Sequence, residues 1–369
     1  MLTLDNVLLY LLIFLAIAAG WWLGRRDRRK VSPTVSANYF TGLNYLLNEE
    51  PDRAVSTFVE ELEVNGDTLE THLALGNLLR RRGEIDKAIV VHKNILKNNA
   101  ITADDSCLVQ LELARDYLLA GLLDRSEELL MDMIAKSGPL KNESRKLLLE
   151  IFEQGKEWRK AIEIAEMLAS GTETEHFEEA ISQYHCELAE EYLGSNRFDD
   201  ARSTLSDAMG HDARNARVSL LVGNLEFRQG NYEEAIRSLV RIKDQRAIYV
   251  PESLELLARS YEASGADPQA LHDYLKACLE IIPSISIVLF LAERIREEFG
   301  DEAVAKFIAD HLKRNPTIRG LSQLIDLHID NTQGVAKENL AILRSFTEAL
   351  VAGKPAYQCK SCGFEGKVL

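Results

Sequence analysis

"GNLLRRRGEIDKAIVVH", from Gly76 to His92, decides the fold. Gly76 is followed twelve positions later by a second small residue, Ala88, and Gly83 lies between them, seven after the first. The same plan recurs in "GNLEFRQGNYEEAIRSL" from Gly223, "GLNYLLNEEPDRAVSTF" from Gly42 and "ARSYEASGADPQALHDY" from Ala258. Apolar residues fall at helical spacing on both sides of the break, and strand-like alternation is almost absent. Two antiparallel helices approach closely only where facing side chains are small, and a Gly or Asn between them supplies the turn. The stretch therefore predicts a close-packed helical pair.

The register extends along the chain. The small pairs are Gly42/Ala54, Gly76/Ala88, Ala114/Ser126, Ala189/Ala201, Gly223/Ala235 and Ala258/Ala270, with Leu149 standing twelve before Ala161 in a weaker fourth unit. Gly83, Gly121, Asn196, Gly230 and Gly265 occupy the turn position. Bulky residues four after the second small position (Phe58, Leu130, Leu205, Leu239, Tyr274) are expected to fill the gap to the next pair. Successive second positions lie 34, 38, 35, 40, 34 and 35 residues apart. This resembles the tetratricopeptide repeat, whose period is about 34 residues. An eighth unit is expected around "LAERIREEFGDEAVAKFIADHLKRNP" and a degenerate ninth from Leu321 to Leu350. Residues 38–352 read as this array, all-α, stacking into a superhelix whose concave face is lined by the first helices and holds protein partners.

Upstream, "NVLLYLLIFLAIAAGWWLG" runs from Asn6 to Gly24 without a charge. As a helix it would span about 28 Å, against about 30 Å of bilayer hydrocarbon. Trp21 and Trp22 close it at the headgroup level, and "RRDRRK", Arg25 to Lys30, follows. Ala16-Ile17-Ala18 resembles a cleavage site, but no Lys or Arg precedes the apolar run, so an uncleaved anchor is expected over residues 1–24 with a basic linker over 25–37. Basic flanks stay in the cytoplasm, which places the bulk of the chain there. Beyond residue 37 the chain holds 38 basic and 56 acidic residues, a net of −18.

That acidity argues against a nucleic-acid partner. The patterns G-x-S-x-G, G-x-x-x-x-G-K and H-E-x-x-H do not occur, so the sequence predicts no enzyme. Cys107, Cys186 and Cys278 fall inside helical patterns and read as buried small hydrophobes. Cys359 and Cys362 are different: the tail "YQCKSCGFEGKVL" places two thiols at C-x-x-C spacing before Gly363, over a module read as residues 353–369. That spacing reads as one half of a zinc-ribbon or rubredoxin-type knuckle, and a tetrahedral metal site needs four ligands. His328 and His311 belong to the array and are not at knuckle spacing.

Anchor, basic collar, about nine repeats and a C-terminal C-x-x-C-G together resemble the lipopolysaccharide assembly protein B family of Gram-negative bacteria. The most telling stretches are "THLALGNLLRRRGEIDKAI", "EWRKAIEIAE", "QYHCELAEEY", "NARVSLLVGN" and "YQCKSCGF". The resemblance implies an inner-membrane protein facing the cytoplasm. It implies a regulator that promotes degradation of the lipid A pathway deacetylase by a membrane-anchored AAA+ protease, and that gathers lipopolysaccharide-synthesis enzymes. In that family the tail is a rubredoxin-type domain whose two C-x-x-C pairs hold iron or zinc. Cys359 and Cys362 match the first pair, and this sequence is expected to stop short of the second. Two further readings compete: a general envelope-assembly scaffold with other clients, and a rubredoxin-like electron-transfer protein.

Overall fold

A computed structural model describes residues 50–58, 68–98, 101–136, 138, 140–170, 174–330, 332–352, 357–358 and 365–366, with isolated positions between 14 and 48. Most of the apolar run 6–24, the basic run 25–30, and Cys359 and Cys362 lie outside them. Phe14, Ile17, Ala19 and Trp21 are helical and exposed. Among the described residues no helix is long and apolar enough to cross a membrane. The chain divides into two compact units, Met1–Gly155 and Lys156–Leu369.

The first unit holds α1 (Pro51–Ser56), α2 (Leu69–Arg81), α3 (Ile85–Leu96), α4 (Ala103–Leu119), α5 (Leu123–Ala135) and α6 (Lys141–Gln154). Neighbours in sequence pack on one another, α2 on α3 and α4 on α5. Leu79, Ala88, Ile95 and Val109 are fully buried between them. At about 1.5–3 kcal/mol for each large aliphatic side chain removed from water, such layers hold the stack.

The turns follow the sequence. Gly83, Gly121, Gly230 and Gly265 take positive φ, as does Asn196. The N–H of Gly83 bonds Arg80 O at 3.0 Å and that of Glu84 bonds Leu79 O at 2.9 Å, the paired closure of a Schellman turn. Lys156, seven after Leu149, also takes positive φ at 54°. The neighbouring Gly155 keeps right-handed backbone, so the fourth turn carries its glycine one residue out of register.

Gly76 and its counterparts serve a contact other than the expected one. A Cβ on Gly223 would stand 2.5 Å from Leu239, one on Gly42 2.5 Å from Phe58, and one on Gly76 would overlap the His92 ring. The residue sixteen on covers each glycine, while the small residue twelve on is itself fully buried, as Ala54, Ala88 and Ala235 are.

The second unit continues with α7 (Trp158–Ala169), α8 (Thr174–Gly194), α9 (Phe198–His211), α10 (Ala216–Arg228), α11 (Tyr232–Val240) and the short α12 (Ile242–Arg246). Then come α13 (Val250–Ser264), α14 (Pro268–Ile281), α15 (Ile285–Arg314, two helices meeting at Gly300), α16 (Ile318–Asp330) and α17 (Val335–Val351). The Ala258/Ala270 pair departs from the others: Ala258 is half-buried and Ala270 exposed. α13 and α14 diverge there, leaving a cleft of about 650 Å³ lined by Tyr261, Leu275 and Phe290. A two-stranded antiparallel ladder, β1 (Tyr357–Gln358) with β2 (Glu365–Gly366), pairs Gln358 with Glu365.

Candidate functional site

The first helices of successive pairs in the second unit, α8, α10 and α13, together with α12, line a groove of about 430 Å³. Its apolar surface is supplied by Ala180, Ala216, Leu220 and Ile242. Glu179, Glu190, Asp212 and Glu252 bring carboxylates to it, Arg217 and Arg246 bring guanidinium groups, and Tyr249 adds a ring.

A buried polar link fixes α10 against α8 at this groove. Asn215, 4% exposed, caps α10 by accepting the Arg217 N–H at 3.0 Å. Its Nδ2 donates to Ser182 Oγ at 2.9 Å, and that hydroxyl donates to Ala208 O at 2.9 Å. With the start of α10 so held, Arg217 reaches back to α8. Its Nη1 donates to Glu187 at 2.6 Å and its Nη2 to Glu190 at 2.9 Å. Burial works against the Arg217 charge, but the two carboxylates outweigh it and hold its pKa above the ordinary value. Arg246 approaches Glu179 only to 3.8 Å. α12 was not anticipated from the sequence. The repeat spacing across it, 35 residues, is ordinary, because α11 is correspondingly short.

The first unit carries a buried charged cluster that sequence reading also missed. His92 Nδ1 donates to Asp116 Oδ2 at 2.5 Å, Arg80 donates to Asp116 at 3.0 Å and to Glu112 at 2.5 Å, and Arg115 donates to Glu112 at 2.5 Å. Burial opposes the Arg80 charge, yet Glu112 and Asp116 raise its pKa. The signal was present. Four residues after the second small position, where Phe58, Leu205 and Leu239 are apolar, this pair has His92. A histidine placed in a core needs a partner there. Among the described residues the His92 Nε2 has no hydrogen-bond partner; it lies against Gly76 and the whole side chain is buried, so the cluster is a packing element.

Cys186 and Cys278 are buried as expected, whereas Cys107 is only half-buried. Burial pushes the Cys186 thiol up to about 12. That keeps it protonated and unsuited to metal or nucleophilic chemistry. His311 is buried and His328 exposed. Among the described residues no three His, Cys, Asp or Glu side chains could hold a metal ion. The β1–β2 ladder brackets residues 359–364, the segment that contains Cys359 and Cys362.

Comparison with known proteins places these features. The tetratricopeptide repeat family matches residues 186–247, from within α8 through α9, α10 and α11 to α12. Lipopolysaccharide assembly protein B of Escherichia coli strain K12 is 34% identical over 368 residues, covering 98% of this chain and 94% of that protein. Its Haemophilus influenzae namesake is 31% identical over 372 residues, covering 97% and 93%. Among solved structures, a tetratricopeptide repeat protein from Parabacteroides merdae overlaps 71% of this chain at 13% identity and TM-score 0.35. YrrB, described as a tetratricopeptide repeat protein with an unusual peptide-binding site, overlaps 57% at 15% identity and TM-score 0.35.

Proposed function

This chain belongs to the lipopolysaccharide assembly protein B family, and on that premise we propose that it is a non-catalytic, membrane-anchored adaptor. In this reading it lowers lipopolysaccharide synthesis by presenting the lipid A pathway deacetylase to a membrane AAA+ protease, and it gathers synthesis enzymes at the inner membrane. The observation that carries the reading is the groove built by α8, α10 and α13. It is a preformed surface of mixed apolar and charged character on a repeat scaffold suited to holding a protein segment.

The anchor over residues 1–24 contributes by concentration. Two proteins confined to one membrane meet at an effective concentration far above that in solution, so a weak client contact suffices. Cys359 and Cys362 would supply two thiolates to a zinc or iron ion, which would lock the tail as a small structural module. The pair fits half of a four-ligand site, and no step of the adaptor reading depends on it.

Depletion of the protein tests the proposal. Deacetylase abundance and lipopolysaccharide content are expected to rise together, and to fall again when the full chain is restored. Unchanged deacetylase abundance with altered envelope composition would instead favour a general scaffold with other clients. A reporter fused after Lys30 is expected on the cytoplasmic side.

A further inference from the structure

We propose that the α8–α10–α13 groove selects a client segment in which a Lys or Arg sits beside an aliphatic side chain. The inference deepens the adaptor reading and rests on it. The groove surface carries four carboxylates, Glu179, Glu190, Asp212 and Glu252, against two guanidinium groups, Arg217 and Arg246. Arg217 is already engaged by both Glu187 and Glu190, at 2.6 and 2.9 Å. The lining groups thus carry four negative charges against two positive, an excess of two.

The excess sits around an apolar floor. Ala216 and Ile242 are buried beneath the groove, and Leu220 is partly exposed to it. An aliphatic side chain can desolvate against Ala180, Leu220 and Ile242 while its basic neighbour meets the carboxylates. The half-buried Tyr249 ring adds a face on which a cation can rest. An acidic segment would meet an excess of like charge at the same contacts. The −18 of the chain beyond residue 37 steers the same class of partner from a distance.

The test uses the full chain in detergent micelles and fluorescence anisotropy with two short labelled peptides, one of Lys and Leu, the other with Glu replacing each Lys. The Lys–Leu peptide is expected to bind, and to weaken as salt rises from low to physiological strength. The Glu–Leu peptide is expected not to bind. Glu179→Gln with Glu190→Gln is expected to weaken the Lys–Leu peptide about tenfold, as two rim charges at up to about 0.7 kcal/mol each would. Glu297→Gln with Glu298→Gln, in a separate cleft of the same unit, removes the same formal charge and is expected to change affinity less than twofold. Thermal melts confirm that both variants fold. Equal binding of the two peptides, no binding of either, or equal losses in the two variants would overturn the proposal. If selectivity fails while depletion still raises the deacetylase, the groove assignment alone is wrong. If selectivity holds and depletion leaves the deacetylase unchanged, the adaptor reading is wrong and the groove serves another client.

Discussion

His92 and Asp116 meet through a 2.5 Å hydrogen bond from Nδ1 to Oδ2, and neither side chain is exposed. The bond joins α3 to α4 in the first unit. Asp116 also accepts from Arg80 of α2 at 3.0 Å, so one carboxylate ties three helices. Asp116→Ala would leave a buried guanidinium and a buried imidazole without it, a loss of about 3–5 kcal/mol. His92→Leu restores the apolar type seen at Leu239 and leaves Asp116 paired with Arg80. Its cost is expected to be smaller, about 1–3 kcal/mol for one lost partner. Urea unfolding midpoints should rank wild type, His92→Leu, then Asp116→Ala. The reverse order would mean that Arg80 is held mainly by Glu112.

Gly76 lies under the same imidazole. Gly76→Ala places a methyl inside the His92 ring, which cannot retreat without stretching its bond to Asp116. Overpacking of this kind costs about 1–3 kcal/mol, against about 1 kcal/mol gained in helix propensity. A net loss is expected. Gly223→Ala presses on Leu239, a side chain with rotamers to spare and no polar bond, and should lose less. Gly210→Ala in α9 meets nothing within 4 Å. It should gain about 0.5–1 kcal/mol. Three melting temperatures, with a change of sign at Gly210, check the steric account.

Much of this architecture was legible in the spacing alone. The turns at Gly83, Gly121, Asn196, Gly230 and Gly265 follow from a backbone demand that few residues meet, so the residue type announces the conformation. What the spacing could not give is how far two helices diverge. Ala258/Ala270 satisfies the pattern, yet α13 and α14 open into a cleft. The groove was legible only as a face, since its wall includes α12, whose five residues leave no trace in the repeat length. A paired substitution exposes the difference. Ala235→Leu enters a fully buried site and should destabilise by about 1–3 kcal/mol or more. Ala270→Leu enters an exposed one and should change stability by less than about 0.5 kcal/mol. Equal losses would mean that α13 and α14 close in solution.

Acid should loosen the second unit. His185, His272 and His311 all have pKa values below the ordinary 6.5, each first by burial. His185 is further depressed by His211, whose ring stacks on it at 5.6 Å. A histidine with a lowered folded pKa binds fewer protons folded than unfolded between those two values. Its stability contribution is therefore complete above about pH 6.5 and declines as pH falls through the folded value. The melting temperature is expected to drop from pH 7.5 to 5.5. His185→Gln should flatten that slope while leaving the pH 7.5 value nearly unchanged. Carboxylate effects such as that of Glu226, lowered by Arg202 and Asn231 against its burial, act only at more acid pH. A melting temperature that rises on acidification would refute the burial argument.

Metal removal should leave the repeats untouched. Hydrocarbon dominates their cores, from Leu79, Ile95 and Val109 in the first unit, beside the His92–Asp116 cluster, to Leu257, Leu275 and Ile287 in the second. No metal-ligating set stands among the described residues. Helicity and the melting transition of the full chain should therefore be the same with and without a strong chelator. The tail should respond differently. The Gln358–Glu365 pairing draws together the two ends of the segment bearing Cys359 and Cys362, which favours their joint use on one ion. A closed tetrahedral site needs four ligands, and Cys359 and Cys362 are placed to supply two of them. Zinc retained per chain is expected to fall in Cys359→Ser with Cys362→Ser, with the helicity unchanged. Cys186→Ala is expected to change neither number, because burial keeps that thiol protonated. Zinc content unchanged in the tail double variant would mean that the two cysteines hold no ion.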